Sequence, residues 1–439
     1  MNIVLIMADQ FAAHALARLR DTDAHFRTPN LDRLAAVSTV FTEAYTSFPL
    51  CVPARSSMMT GMHPHQLGIM SNEKDLPDRS HDPGHGTASL GHWFTAAGYD
   101  CAYAGKWHAR QASATAADGF APIHPFGDEG LVEACTDWLS RRDSGQPFLL
   151  VASFDDPHTI CEYARSQPMP YGNVTPVDLL DAPPLPANFP AAPFEPEAMR
   201  FEQAAAARMY GTGTFGPEDW RHYRAAYAEL VTRVDRRIGQ LLDCIEPAST
   251  AVVFISDHGD GDASHGWNQK TALHQECIKV PFMVHVPGQS AGVVDIPVPA
   301  VLGILPTLCE VAGIDAPDGL AAGSLLAPQA DRVVVQTAFP GAADLPGAGT
   351  SGRAVILEQW KYTVYDWGKH REQLHDLSAD PGEQRNLAVE RQYFHVLEQM
   401  REHLLQWSRA TGDVGFLKRL VLPSSAAAGM QQEIFKIPF

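Results

Sequence analysis

The sequence predicts an α/β fold: a mostly parallel sheet sandwiched by helices, followed by a smaller C-terminal α+β domain. Three observations carry this. Residues 3–7, 101–104, 148–154, 252–256 and 282–286 are apolar runs of strand length. Helical stretches separate them, and strands apolar on both faces with helices between them imply a parallel sheet covered on both sides. After an Ala- and Gly-rich stretch at 321–352 the pattern changes to short strands with turns, at 354–357, 361–365 and 373–376, and then a helix from about 388 to 409. The division expected is 1–330 for the larger domain and 331–439 for the smaller.

Each helix has a local signal. A helix over 30–36 enters after Pro29, and one over 88–97 stops before Gly98. Leu131–Arg141 precedes the third strand. The longest, 217–246, repeats Tyr223, Tyr227, Leu230, Val234, Ile238, Leu241 and Ile245 at three- and four-residue steps, which makes one face apolar. Residues 167–196 carry nine prolines and little periodicity, so they read as a long surface excursion. Loops of that length are usually functional or disordered, and this one follows a candidate site strand, so a substrate-facing role is expected. The tail 431–439 is apolar enough to seek a partner surface or a core of its own.

Bulk properties exclude some functions. At 439 residues the chain can bury a large core, and 45% apolar and 19% charged residues are ordinary for a globular protein. No apolar run reaches the roughly 18 residues needed to span a bilayer. A net charge of -18 argues against nucleic acid or an anionic membrane as partner, without excluding a local basic pocket. The seven cysteines form no Cys-x-x-Cys pair, so neither a zinc ribbon nor a disulfide framework is expected; apart from Cys51 they read as small buried hydrophobes in a reducing compartment. A core strand follows Met1 directly, so the chain as written is read as cytoplasmic, or as periplasmic or secreted if a leader has been removed. The triplet Asn173-Val174-Thr175 reads as a chance sequon.

Ligands of open α/β sheets bind beyond the carboxyl ends of the strands. Four strand ends here deliver polar groups: Asp9-Gln10, then Lys106-Trp107-His108 after Gly105, Asp155-Asp156-Pro157-His158, and Asp257-His258-Gly259-Asp260. Each alone reads equally well as a cap, a solvated charge or a satisfied histidine; four together suggest one site. Asp9, Gln10, Asp257 and His258 offer oxygen ligands with one imidazole, a set suited to Ca2+ or Mg2+, with Mn2+ also plausible. Arg55, Lys106, His108, His158 and Lys270 are cationic or can become so. A metal with several cations suits a tetrahedral anion, sulfate or phosphate.

Cys51 separates those two. Cys51-Val52-Pro53-Ala54-Arg55 resembles the Cys-x-Pro-x-Arg element of the sulfatase family. The resemblance extends through Thr28-Pro29-Asn30-Leu31-Asp32-Arg33-Leu34, Gly105-Lys106-Trp107-His108 and Ser256-Asp257-His258-Gly259. It continues at His265-Gly266 to Lys270, Glu276, Val280-Pro281, Leu374-His375-Asp376-Leu377, Asp380-Pro381 and Asn386-Leu387. It implies an alkaline-phosphatase-like fold and hydrolysis of a sulfate ester or sulfamate, by default a carbohydrate sulfate. It further implies that a formylglycine-generating enzyme oxidises Cys51 to an aldehyde whose hydrate is the nucleophile. Asp9, Gln10, Cys51, Asp257 and His258 would then hold the divalent metal. Arg55 and Lys106 would hold the hydrate and its charge, His108 would orient or deprotonate a hydroxyl, and His158 and Lys270 would grip sulfate and help the leaving oxygen depart. The first turn of a helix started by Pro53 would favour negative charge at Cys51 by about 0.3–1 kcal/mol.

Three positions depart from the commoner pattern. Many sulfatases have aspartate at the position of Gln10 and asparagine at that of His258; the Gln/His pairing resembles the branch holding choline sulfatases and phosphonate monoester hydrolases. Gln275 stands where glutamate is frequent. The competing readings are accordingly a phosphonate monoester or phosphodiester hydrolase, a choline sulfatase, a binding protein that keeps the pocket without catalysis, and a Cys51 that stays an unmodified thiol. Tyr163, Arg165, His63, His65 and Trp267 lie near motif residues and are candidates to line the pocket; an aromatic with an arginine suits a sugar or an acidic sugar.

Overall fold

The apolar runs become the centre of an eight-stranded sheet. In this computed structural model, residues 1–16, 25–72, 89–109, 118–142, 145–329, 331–339 and 349–436 are described. The strands are β1 (Asn2–Asp9), β2 (Thr39–Phe41), β3 (Asp100–Gly105), β4 (Ala121–His124), β5 (Phe148–Pro157), β6 (Thr250–Ser256), β7 (Phe282–His285) and β8 (Gly292–Val294), in the order β4-β3-β5-β1-β6-β7-β2-β8. Pairing is parallel except for β7, which runs antiparallel to β6 and β2.

Alternation divides the central strands between two cores. Val4, Ile6 and Ala8 of β1 join Leu150, Phe154 and Phe254 beneath Leu31, Leu131 and the Tyr223–Ile238 face of the helix Pro217–Leu242. Ile3, Leu5 and Met7 join Leu149, Val151 and Val253 beneath Met58, Phe94, Val301 and Leu305 on the other side. Each such side chain contributes about 1.5–3 kcal/mol by full burial.

A second, antiparallel sheet has the order β12-β11-β10-β9, from β9 (Val333–Phe339), β10 (Thr350–Leu357), β11 (Trp360–Tyr365) and β12 (Glu372–Asp376). One face packs on Val396, Leu397, Met400 and Leu404 of the helix Phe394–Thr411. The other packs on Tyr45, Met199, Trp267, Leu273 and Ile278 of the larger lobe. Polar contacts stitch the same seam: Gln336 N donates to Ser47 O at 2.9 Å, Thr337 Oγ1 to Thr271 O at 2.7 Å, and the buried Lys361 ammonium to Leu273 O and, at 2.5 Å, to Glu383.

Several expectations shift. The short strands β2, β4 and β8 and the strand β9 were not legible, nor were the helices Glu197–Tyr210 and Ala300–Ala312. The helix expected to start at Pro53 starts at Cys51, with Leu50 as its cap residue. Residues 167–196 form turns without helix or strand, as expected. Cys244 is exposed, whereas the other cysteines are buried. Ile434, on the helix Ala428–Lys436, packs into the core of the second sheet. Residue 88 of the expected 88–97 helix, positions 330 and 340–348 of the Ala/Gly-rich stretch and residues 437–439 of the tail lie outside the described residues. Among the described residues no helix is long and apolar enough to cross a membrane.

Candidate active site

The carboxyl ends of β1, β3, β5 and β6 meet the amino end of the helix Cys51–Thr60, every residue of which is buried. Gly105 closes β3 with φ +89°, and a Cβ there would stand 2.2 Å from Ser153 O, so only glycine lets Lys106 turn into the site. Gln10 and His108 also take positive φ, at 64° and 42°. Such strain persists where surrounding contacts over-determine it, which suits a functional position.

Arg55 organises the floor. Its Nε donates to Asp257 Oδ2 at 2.7 Å and its Nη2 to Asp9 Oδ2 at 3.0 Å, while Nη1 reaches Lys106 O at 2.7 Å and Ser153 Oγ at 2.8 Å. Lys106 Nζ lies 2.8 Å from both Asp9 Oδ2 and Asp155 Oδ1. Each carboxylate thereby gives one oxygen to the cations and keeps Oδ1 toward Cys51 and His258. Cys51 Sγ lies 3.8 Å from Asp9 Oδ1 and 3.3 Å from both His258 Nε2 and Lys270 Nζ. His258 Nδ1 donates to Gly259 O at 2.9 Å, which fixes the ring and turns Nε2 inward.

The donor set fits a divalent cation. Ligand atoms of Asp9, Cys51, Asp257 and His258 all lie within 4.8 Å of one another, and all four residues are buried. Burial, with the charge of Asp9 beside it, raises Asp257 above the usual carboxylate range. A cation between the two would relieve that cost. Two carboxylate oxygens and an imidazole suit Ca2+, Mg2+ or Mn2+. Gln10 stands beside this set in another posture: its Nε2 donates to Asp260 Oδ2 at 2.6 Å, and its Oε1 accepts from Lys270 Nζ at 3.2 Å.

Cations gather on the open side. Burial opposes ionisation of Cys51, yet Lys270, Lys106 and His258 carry its thiol well below the ordinary range, helped by a hydrogen bond from His108. Burial likewise opposes charge on Lys270, and the negative groups around it, Cys51 first, raise it above the usual lysine range. Lys270 Nζ stands 2.6 Å from His158 Nε2. The segment carrying Lys270 is strained, with Gln269 at φ 69° and the β-branched Thr271 at 77°; Thr271 is held by Pro49 O at 2.7 Å and by Thr337.

All ten candidate residues therefore converge, but the suggested pocket-lining residues do not all follow. His63 and His65 stack on each other and meet Trp407 of the helix Phe394–Thr411 edge-on. Trp267 is buried, its Nε1 bonded to Lys270 O at 3.0 Å. Tyr163 lines a cavity of about 470 Å³ with Met169, Phe215 and His222. Three contributors were missed. Asp155 bridges Lys106 to the Tyr171 hydroxyl, which donates to its Oδ2 at 3.1 Å and ties the proline-rich excursion to the site. Cys161 Sγ contacts Gln10 Oε1 at 3.7 Å. Burial raises the Tyr210 hydroxyl above its ordinary range, against the pull of the Lys270 charge. Asp155 stands first in the third strand-end cluster, named there without a role; for the others no pattern marked them.

Comparison with known proteins agrees with this arrangement. The family model described as Sulfatase matches residues 1–314, and that described as N-sulphoglucosamine sulphohydrolase, C-terminal, matches residues 263–410. A Delta 4,5-hexuronate-2-O-sulfatase of Bacteroides thetaiotaomicron is 29% identical over 95% of this chain and 91% of its own. The solved structure of a 2-O GAG sulfatase superposes with TM-score 0.76 at 26% identity, covering 98% of this chain and 96% of the other. A phosphonate monoester hydrolase of Agrobacterium radiobacter, 20% identical with TM-score 0.73 over 93% of this chain and 96% of its own, shares the fold.

Proposed function

The chain belongs to the sulfatase family and is a sulfuric ester hydrolase; on that premise we propose that it cleaves a carbohydrate sulfate and that Cys51 is the residue converted to formylglycine. The observation that carries the reading is the position of Cys51 Sγ, 3.3 Å from Lys270 Nζ and His258 Nε2 at the first turn of a buried helix. The hexuronate 2-O-sulfatase and the 2-O GAG sulfatase support sugar as the alcohol component.

Asp9, Asp257 and His258, with the modified residue 51, would hold a divalent cation, by default Ca2+, and Gln10 would join them only by releasing Lys270 from its Oε1. When present, the aldehyde hydrate and the cation together supply an acidified hydroxyl able to attack sulfur at neutral pH. The remaining work falls to side chains. Arg55 and Lys106 neutralise the carboxylates and keep their inner oxygens aimed at residue 51. His108, whose Nδ1 is buried without a partner, would take the hydroxyl proton. Lys270 and His158 would bind sulfate oxygens, and one of them would give a proton to the departing alcohol.

Intact-mass measurement tests the premise about Cys51, since conversion of the thiol to an aldehyde removes sulfur. The same preparation should release inorganic sulfate from a sulfated sugar, and Cys51→Ala should release none. A phosphonate monoester hydrolase reading draws on the Gln10/His258 pairing and the shared fold. Rates on a sulfated sugar and on a phosphonate ester, measured side by side, separate the two.

A further inference from the structure

The short helix Ile160–Ala164 leaves the end of β5 immediately after His158. Cys161 faces the site from it, with Sγ 4.0 Å from His158 Nε2 as well as 3.7 Å from Gln10 Oε1. Arg165 lies four residues on, and its N–H bonds Cys161 O at 3.3 Å, so the two share one face a turn apart. The Arg165 guanidinium reaches from this face to the end of the helix Glu197–Tyr210. There it lies 4.4 Å over the ring of Tyr210, and its Nε donates to Met209 O at 3.4 Å.

Three other arginines of this lobe are committed to carboxylates: Arg55 to Asp9 and Asp257, Arg224 to Asp262, Arg233 to Asp156. Among the described residues no carboxylate pairs with Arg165, although the chain carries 51 acidic residues against 33 basic ones. Arg165 is partly exposed, and its guanidinium fork is steadied by an aromatic face. Such a fork matches the two in-plane oxygens of a carboxylate.

We propose that Arg165, held on Tyr210, binds a carboxylate on the sugar whose sulfate ester is cleaved, making this enzyme selective for sulfated uronic acids. The inference rests on the carbohydrate-sulfate reading and narrows it. Lys270 grips the sulfate, and Arg165, one helical turn outward from Cys161, receives the second anion of the same sugar.

The test compares kcat/KM for a 2-O-sulfated uronate, a neutral sulfated hexose and a disulfated hexosamine, in the wild type, Arg165→Gln and Arg165→Lys, with an aryl sulfate as reference. The wild type should prefer the uronate. Arg165→Gln should lower the uronate-to-neutral ratio about 30-fold or more, through KM rather than kcat, the scale for truncating one side of a paired charge. Arg165→Lys should recover part of it. An unchanged ratio, or an equal fall on both sugars, would make Arg165 merely structural and overturn the proposal. A wild-type preference for the disulfated sugar would overturn it in favour of a second sulfate. If the aryl sulfate is cleaved while no sulfated sugar is, the carbohydrate reading fails; if sugars are cleaved without preference for the uronate, only this inference does.

Discussion

Arg55 Nε and Asp257 Oδ2 stand 2.7 Å apart, and neither side chain has any exposed surface. Removing the guanidinium would leave two buried carboxylates, Asp9 and Asp257, facing each other without their shared donor. Arg55→Ala should lose about 3–5 kcal/mol of unfolding free energy, the usual penalty for breaking a buried pair from one side. Arg55→Lys should lose less, because it keeps the charge but not the three-way fork. Urea titrations of both variants measure this, and a loss below 1 kcal/mol for Arg55→Ala would contradict the organising role.

Lys270 and His158 face residue 51 without anchoring the sheet. Lys270→Ala and His158→Ala should each reduce kcat/KM on a sulfate ester by about 10²–10³-fold, the range for one preorganised electrostatic donor. Their circular dichroism should match the wild type. A fall of less than tenfold in both would remove them from the chemistry.

A divalent ion should stabilise the fold as well as activate it. After treatment with a chelator, adding Ca2+, Mg2+ or Mn2+ should raise the melting temperature, by an amount equivalent to about 2.7 kcal/mol at a hundredfold excess over Kd. Asp257→Asn should abolish the rise. If no cation shifts the wild-type melt, the four-residue cluster around Cys51 does not bind metal.

The His63–His65 stack makes the seam to the C-terminal helix acid-sensitive. Burial, with the charge of His65 adding to it, pushes His63 down to about 3, and burial lowers His65 as well, against the pull of Asp413. Gln336 Nε2 and Thr411 O take the two nitrogens of His65 at 2.7 and 3.1 Å. A depressed histidine contributes stability above its unfolded value of about 6.5 and loses it as pH falls toward the folded value. Unfolding free energy should therefore decline below about pH 6.5, and His63→Gln should make the decline shallower by up to about 1.4 kcal/mol per pH unit. Equal slopes in the two proteins would show that another group governs the acid limb.

The strand ends were legible because burial on both faces leaves an unbroken apolar run, and the parallel-sheet rule then says where each run delivers its next residues. Asp9, Lys106, His158 and Asp257 came from that rule alone. Cys51 and Lys270 needed the resemblance, since neither ends a strand. Ala300–Ala312 stayed hidden because it is apolar almost all round and contains Pro306, so it shows no helical period. Glu197–Tyr210 was obscured by the nine prolines before it. The left-handed Thr271, the Asp155–Tyr171 bond and the approach of Tyr210 to Lys270 arise from tertiary packing, and local sequence carries no mark of them.

The second sheet touches the chain on either side of the reactive centre, through Gln336 to Ser47 and through Thr337 to Thr271. It acts as a jig that sets the spacing between the cysteine helix and the lysine loop. A chimera that swapped residues 331–436 for the equivalent part of a relative would inherit that spacing from the donor, so transplanting specificity between such enzymes requires the contacts at Ser47 and Thr271 to travel with the graft.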